Sequence, residues 1–129
     1  MFQDDVTRYG LIYVLRKGIS DVGINIRFCY FAPASSLNDE LVANYHANIL
    51  TVTRQFAYSK LNRNTIDMVL SLNGIPVVAL ELKNQFTGQN VEDSKRQWRT
   101  DRDPKEPLFR FNNRILAYFG VDLYEVALT

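Results

Sequence analysis

The feature that most constrains this chain is the dipeptide Asn73-Gly74, set between two apolar runs, Thr65 to Leu72 and Ile75 to Leu82. Asn-Gly places two residues in the left-handed region, as a hairpin turn with the right-handed twist of its strands requires, and predicts a β-hairpin here. Three charged residues interrupt the apolar pattern of the hairpin. Asp67 breaks Ile66-Met68-Val69-Leu70, and Glu81 and Lys83 break the end of Val77-Val78-Ala79-Leu80-Leu82. A charge in an otherwise buried strand costs stability unless it is paired or bound to a metal, so these three are the candidate functional residues.

Side chains two apart on a strand share a face, which makes Glu81 and Lys83 neighbours. Asp67 joins them only in one register. A strict two-residue loop pairs Asp67 with Leu80 and turns it to the wrong side, so an odd-numbered loop or a bulge is required. The apolar pattern favours that register as well, because it places Ile66, Met68, Leu70 and Leu72 on one face with Val78, Leu80 and Leu82. A three-residue loop Asn73-Gly74-Ile75, with Pro76 starting the strand, would supply it.

Around the hairpin, Val6 to Lys17 has helical periodicity and is ended by Gly18, whereas Ile24 to Phe31 reads as a strand, followed by a loop to about Tyr45. Ile49 to Tyr58 is a second strand. Gln89 to Thr100 is polar with Val91 and Trp98 as apolar anchors, and is expected to be an exposed helix stopped at Asp103-Pro104. Ile115 to Val121 and Tyr124 to Leu128 are expected to be strands joined near Asp122. This order indicates an α/β fold with a mixed central sheet flanked by helices, in a single domain spanning 1–129.

Composition narrows the setting. At 129 residues, 47% of them hydrophobic, the chain can bury a core without staples. Its single cysteine, Cys29, has no internal partner and sits in an apolar run, which suits an inert buried thiol and a reducing, cytoplasmic protein. No apolar stretch reaches the roughly 20 residues needed to cross a bilayer, and the N-terminus lacks the pattern of a secretion signal.

A formal net charge of +1 gives no global attraction for nucleic acid, but Lys83, Lys95, Arg96, Arg99, Arg102, Lys105, Arg110 and Arg114 crowd the second half. Lys95, Arg96, Arg99 and Arg102 alternate with Glu92, Asp93, Asp101 and Asp103. They suit either a phosphate-binding groove or a solvated helix face. His46 is assigned no role, and Trp98 and the strand aromatics are assigned to the core.

Two carboxylates converging at a sheet edge suit Mg²⁺, an oxygen-seeking ion that keeps several waters for phosphate and nucleophile to replace. A nearby lysine completes the requirements for phosphodiester hydrolysis. At these residues the sequence resembles the PD-(D/E)xK nucleases, with Asp67 as the lone acid and Glu81-Leu82-Lys83 as the ExK element.

The surroundings sharpen the likeness. Ile66-Asp67-Met68-Val69-Leu70, Asn73-Gly74-Ile75-Pro76, Leu80-Glu81-Leu82-Lys83-Asn84, Gln97, Pro107-Leu108-Phe109, Asn48 to Gln55 and Ala117 to Asp122 are similar to the N-terminal nuclease domain of type I restriction enzyme R subunits. The resemblance implies a restriction-endonuclease-like fold and Mg²⁺ held by Asp67, Glu81 and the backbone carbonyl of Leu82, with Lys83 catalytic. It further implies that Gln97 begins a Gln-xxx-Tyr element near DNA or the active site, with Arg96 and Arg99 as accessory DNA contacts. Asp101 stands here where that element has Tyr.

Such subunits carry an ATP-driven helicase motor after the nuclease and work with modification and specificity subunits on double-stranded DNA. This chain has no Gly-rich phosphate loop, which fits one domain of a larger subunit, with ATP needed only by the motor. The resemblance therefore implies an endonuclease domain. The competing expectation is a nuclease-like module that docks on DNA or partner subunits without cleaving.

Overall fold

A computed structural model describes all residues, 1–129. Two short helices open the chain, α1 (Phe2–Tyr9) and α2 (Leu11–Lys17), followed by a small hairpin of β1 (Ile19–Asp21) and β2 (Ile24–Ile26). Helix α3 (Asp39–His46) precedes a five-stranded sheet of β3 (Leu50–Ala57), β4 (Thr65–Leu72), β5 (Ile75–Leu82), β6 (Ala117–Val121) and β7 (Val126–Leu128), ordered β3-β4-β5-β6-β7. All neighbours are antiparallel except β5 and β6, which are parallel. A parallel pair needs a long crossover, and this one carries α4 (Val91–Arg96), a π-helical turn (Gln97–Asp101) and a 3-10 turn (Pro107–Phe109). The result is the expected mixed α/β sheet with helices, consistent with a restriction-endonuclease-like fold.

The hairpin strands have the expected limits, and Asn73 (φ 49°) and Gly74 (φ 83°) form the left-handed pair of a two-residue turn. Leu72 pairs with Ile75, so the loop is not the three-residue one anticipated. The parity change comes instead from a bulge: Ser71 pairs with Pro76 but Leu70 with Val78, leaving Val77 as the extra residue. Beyond the bulge Met68 pairs with Leu80, and the same register carries Asp67 opposite Glu81. The turn is tied down by Asn73, whose side chain accepts from Ile49 N (2.7 Å) and donates to Phe28 O (2.7 Å).

Elsewhere the structure corrects the sequence-based expectations. The first helix begins at Phe2 and is split by Gly10 (φ 86°), where a Cβ would lie 2.1 Å from the Asn112 side chain; Asn112 O accepts from Leu11 N (2.6 Å) and so caps α2. The strand expected over Ile24 to Phe31 shrinks to Ile24–Ile26 and belongs to a separate sheet. The loop expected up to Tyr45 contains α3, started by Asn38, whose side chain accepts from Leu41 N.

The core has two centres. Val6, Leu11, Val14, Leu15, Ile19 and Cys29 join the N-terminal helices to the turn end of the hairpin, through Leu72, Ile75 and Val77. Cys29 is buried there, its thiol donating to Leu15 O (3.4 Å), and burial pushes its pKa up, as suits an inert thiol. Ile66, Val69, Ala79, Leu108 and Ile115 form the second centre, lined by the aromatics Phe56, Tyr58, Trp98, Phe109 and Tyr118.

The covered side of the sheet is the one that carries Asp67 and Glu81. Gly120, level with Glu81 on β6, lets α4 press close; its missing Cβ would lie 2.5 Å from Ser94 Cβ. The opposite, aliphatic side is half-buried at its centre and open at its edges, where Leu50, Val52, Leu82, Val126 and Leu128 are exposed. No helix of the structure is long and apolar enough to cross a membrane.

Candidate active site

The bulged register brings the two acids together at the end of the hairpin away from its turn. Asp67 Oδ2 accepts the Leu82 backbone N–H at 2.8 Å, a bond across the strands that fixes the carboxylate beside the Glu81-Leu82-Lys83 element. Its other oxygen accepts from Gln55 Nε2 at 3.3 Å, and Gln55 Oε1 accepts from Thr65 Oγ1 at 2.8 Å. Gln55 pays for this placement with a left-handed backbone (φ 50°), rare for a residue with a Cβ and often found beside working sites.

Glu81 is 3% exposed and forms an ion pair with Arg102, itself 7% exposed. Burial pushes the Glu81 carboxyl up to about 7; the Arg102 guanidinium pulls it back and the Asp67 carboxylate pushes it higher. Loss of hydration around the buried carboxylate is the main reason, and the neighbouring Asp67 charge adds to it.

Lys83 follows the end of β5, its N–H still bonded to Val121 O (2.8 Å), so the alternation that sets Glu81 inward holds for it too. Its ammonium donates to Gln97 Oε1 at 2.7 Å. The sequence-derived triad and Gln97 thus converge on the covered side of β4 and β5.

Arg96 and Arg99 do not join them. Both are exposed, and Arg96 pairs with Asp93 (2.9 Å) on its own helix, as Lys95 does with Glu92. Pairs of this kind are those of a solvated helix face.

Arg102 overturns its grouping with those surface cations. It is buried, donating to Tyr58 Oη (2.9 Å), Thr65 O (3.1 Å) and Glu81 Oε1, with its carbon lying over the rings of Tyr58 (5.2 Å) and Trp98 (5.4 Å). Sequence reasoning gave Arg102 the wrong setting and missed Gln55 and Tyr58, because each is defined by partners on other elements of the fold. The one available signal was two aromatics, Tyr58 and Trp98, able to sandwich a cation.

A family model described as type I restriction enzyme R protein N terminus matches residues 36–128. The chain belongs to this family. The match takes in α3, the whole five-stranded sheet, the crossover and every residue of the site, and leaves out α1, α2 and the β1-β2 hairpin. No curated protein and no solved structure matches.

The donor set suits a hard divalent cation. Asp67 and Glu81 offer carboxylate oxygens on one face, and no cluster of three or more acidic, histidine or cysteine side chains surrounds them. An ion that takes oxygen ligands and keeps its waters fits such a pair; a closed zinc site with four protein ligands does not.

Proposed function

We propose that this domain is the Mg²⁺-dependent endonuclease part of a type I restriction enzyme R subunit, hydrolysing phosphodiester bonds of double-stranded DNA. The observation that carries it is the convergence of Asp67, Glu81 and Lys83 on one covered hairpin face within a chain of this family. Asp67 and Glu81 would hold the ion, with the backbone carbonyl of Leu82 as the expected third donor. Once bound, the ion polarises the scissile phosphate and lowers the pKa of attacking water.

The chain's own residues set the stage for that chemistry. The Leu82 N–H and Gln55 amide restrain the Asp67 carboxylate, and Glu81, at the foot of the layer formed by Trp98, Phe109 and Tyr118, is kept out of bulk water. Lys83, held by Gln97, would orient the attacking water or offset charge growing on the phosphate. Whole R subunits pair such a domain with a helicase motor and act with modification and specificity subunits. In that assembly this chain would supply the cut, and other parts the ATP use and the choice of sequence.

Calorimetric titration with Mg²⁺ or Mn²⁺, followed by nicking of supercoiled plasmid, tests this for the wild-type chain, Glu81→Ala and Lys83→Ala, with circular dichroism to establish folding. The expected outcome is binding lost in Glu81→Ala, and nicking lost but binding kept in Lys83→Ala. Undiminished nicking by a folded Lys83→Ala would refute the assignment. Folded protein that binds no metal with DNA present would favour the non-cleaving docking module.

A further inference from the structure

Arg102 owes its position to the π-helical turn. In an α-helix the residue four places on lies about one turn beyond its start, whereas a π-turn holds one residue more. Gln97–Asp101 is such a turn, so the residue brought round to the site, one turn past Gln97, is the fifth and not the fourth. Asp101 consequently points to solvent, where Thr100 Oγ1 donates to it at 2.9 Å, and Arg102 turns inward to Glu81.

The anchorage of Arg102 is lopsided. Its two terminal nitrogens make every hydrogen bond it has, while the buried Nε has no partner. A buried donor without a partner weakens the hold on the side chain, and the ion pair it forms is with Glu81. Beside it lies a cavity of about 270 Å³ lined by Trp98, Arg99, Arg102, Pro104, Phe109 and Tyr118 among others, which gives the side chain room to withdraw.

We infer that Arg102 is a resident counter-cation, a positioning residue that holds Glu81 Oε1 in the metal-free protein and that a divalent ion must displace to use the same oxygen. The inference rests on the metal-site reading above and adds a competition to it. A monocation fixed beside a carboxylate pair preserves the pocket when empty and raises the threshold for loading, because a dication and a guanidinium repel each other strongly at such separations.

Trp98 makes the exchange observable in the unaltered chain. It is the only tryptophan, and Arg102 lies over its ring. Mg²⁺ titrations of the wild-type chain are followed by Trp98 emission and by calorimetry in parallel, and repeated by calorimetry with Arg102→Met, which keeps bulk but removes charge, and with Arg102→Lys. The expected results are an emission change that tracks metal occupancy and affinity about tenfold or more tighter in Arg102→Met, with Arg102→Lys close to wild type.

Calorimetric binding with unchanged emission overturns the inference and leaves the metal site standing. So does affinity that is unchanged or weaker in a folded Arg102→Met. Absence of metal binding to every folded form overturns both. If Arg102→Met does not fold, the wild-type emission result decides.

Discussion

Replacing Gly120 with alanine tests how the covering helix is seated. A Cβ at Gly120 would lie 2.5 Å from Ser94 Cβ and 3.1 Å from Ser94 Oγ, against an ordinary carbon–carbon contact of about 3.5–4.0 Å. Both colliding atoms are fixed to backbone, and Ser94 is fully buried, so no rotamer relieves the clash and α4 must retreat by about 1 Å. Overpacking of this kind costs about 1–3 kcal/mol, or roughly 4–15 °C in Tm for a domain of this size.

Because α4 leads directly into the turn that begins at Gln97 and precedes Arg102, the same retreat should stretch the 2.7 Å contact of Gln97 with Lys83 and slow plasmid nicking. Thermal denaturation of Gly120→Ala, Ser94→Ala, Ser94→Gly and the two doubles forms the assay. Ser94→Gly should rescue Gly120→Ala despite about 1 kcal/mol of intrinsic helix cost, since it removes the colliding Cβ. Ser94→Ala keeps that atom and should rescue little. A Gly120→Ala protein as stable as wild type, or equal rescue by both changes at Ser94, would refute the close-packing account.

Three further outcomes follow from other parts of the structure. The Glu81 carboxyl is raised from 4.5 to about 7, so the folded state favours the protonated form; the contribution of Glu81 to metal-free stability should be fully present below 4.5 and decline by about 3 kcal/mol as pH rises through 7. Urea unfolding in EDTA at pH 5 and pH 8.5 checks this, with the slope flattened in Glu81→Gln; a wild-type protein more stable at pH 8.5 would reverse the sign. Gln55→Gly should hold or raise stability by up to about 1 kcal/mol through relief of the left-handed backbone, yet weaken metal binding as Asp67 loses its restraint, measurable by urea unfolding and calorimetry on one sample. Gly74→Ala meets open space but keeps φ near 83°, so denaturation should show a loss of about 1 kcal/mol with metal affinity intact.

How much of this was readable from the sequence depended on the distance between the residues involved. The hairpin is local: the composition of its runs and Asn73-Gly74 set its strands to the residue, and the need to place Asp67 with Glu81 demanded a change of parity. The sequence could not say where that change falls, because a three-residue loop and a bulge at Val77 serve the apolar pattern equally. Helix α3 was missed although Asn38 followed by Asp39 and Glu40 is a helix start, since Pro33, Ser35 and Ser36 made the whole stretch look like loop. The α1 break escaped notice because its cause, Asn112, is 102 positions from Gly10 along the chain. Arg102 was misjudged for a related reason: among alternating charges its own neighbours mark it as surface, and only Glu81, Tyr58 and Trp98 in space make it core.

The π-helical turn has a consequence for anyone comparing this chain with its relatives. Counting positions along a helix assumes a constant pitch, and one slack turn changes the ruler. Aligned by count, Asp101 falls under the tyrosine of the Gln-xxx-Tyr element and the element looks broken; aligned by turns, Arg102 falls there and the position is filled by a cation. Relatives with an insertion or deletion of one residue between Gln97 and Asp103 are therefore best compared by which side chain faces the acids, since a gap of one in the alphabet need not be a gap in the machine.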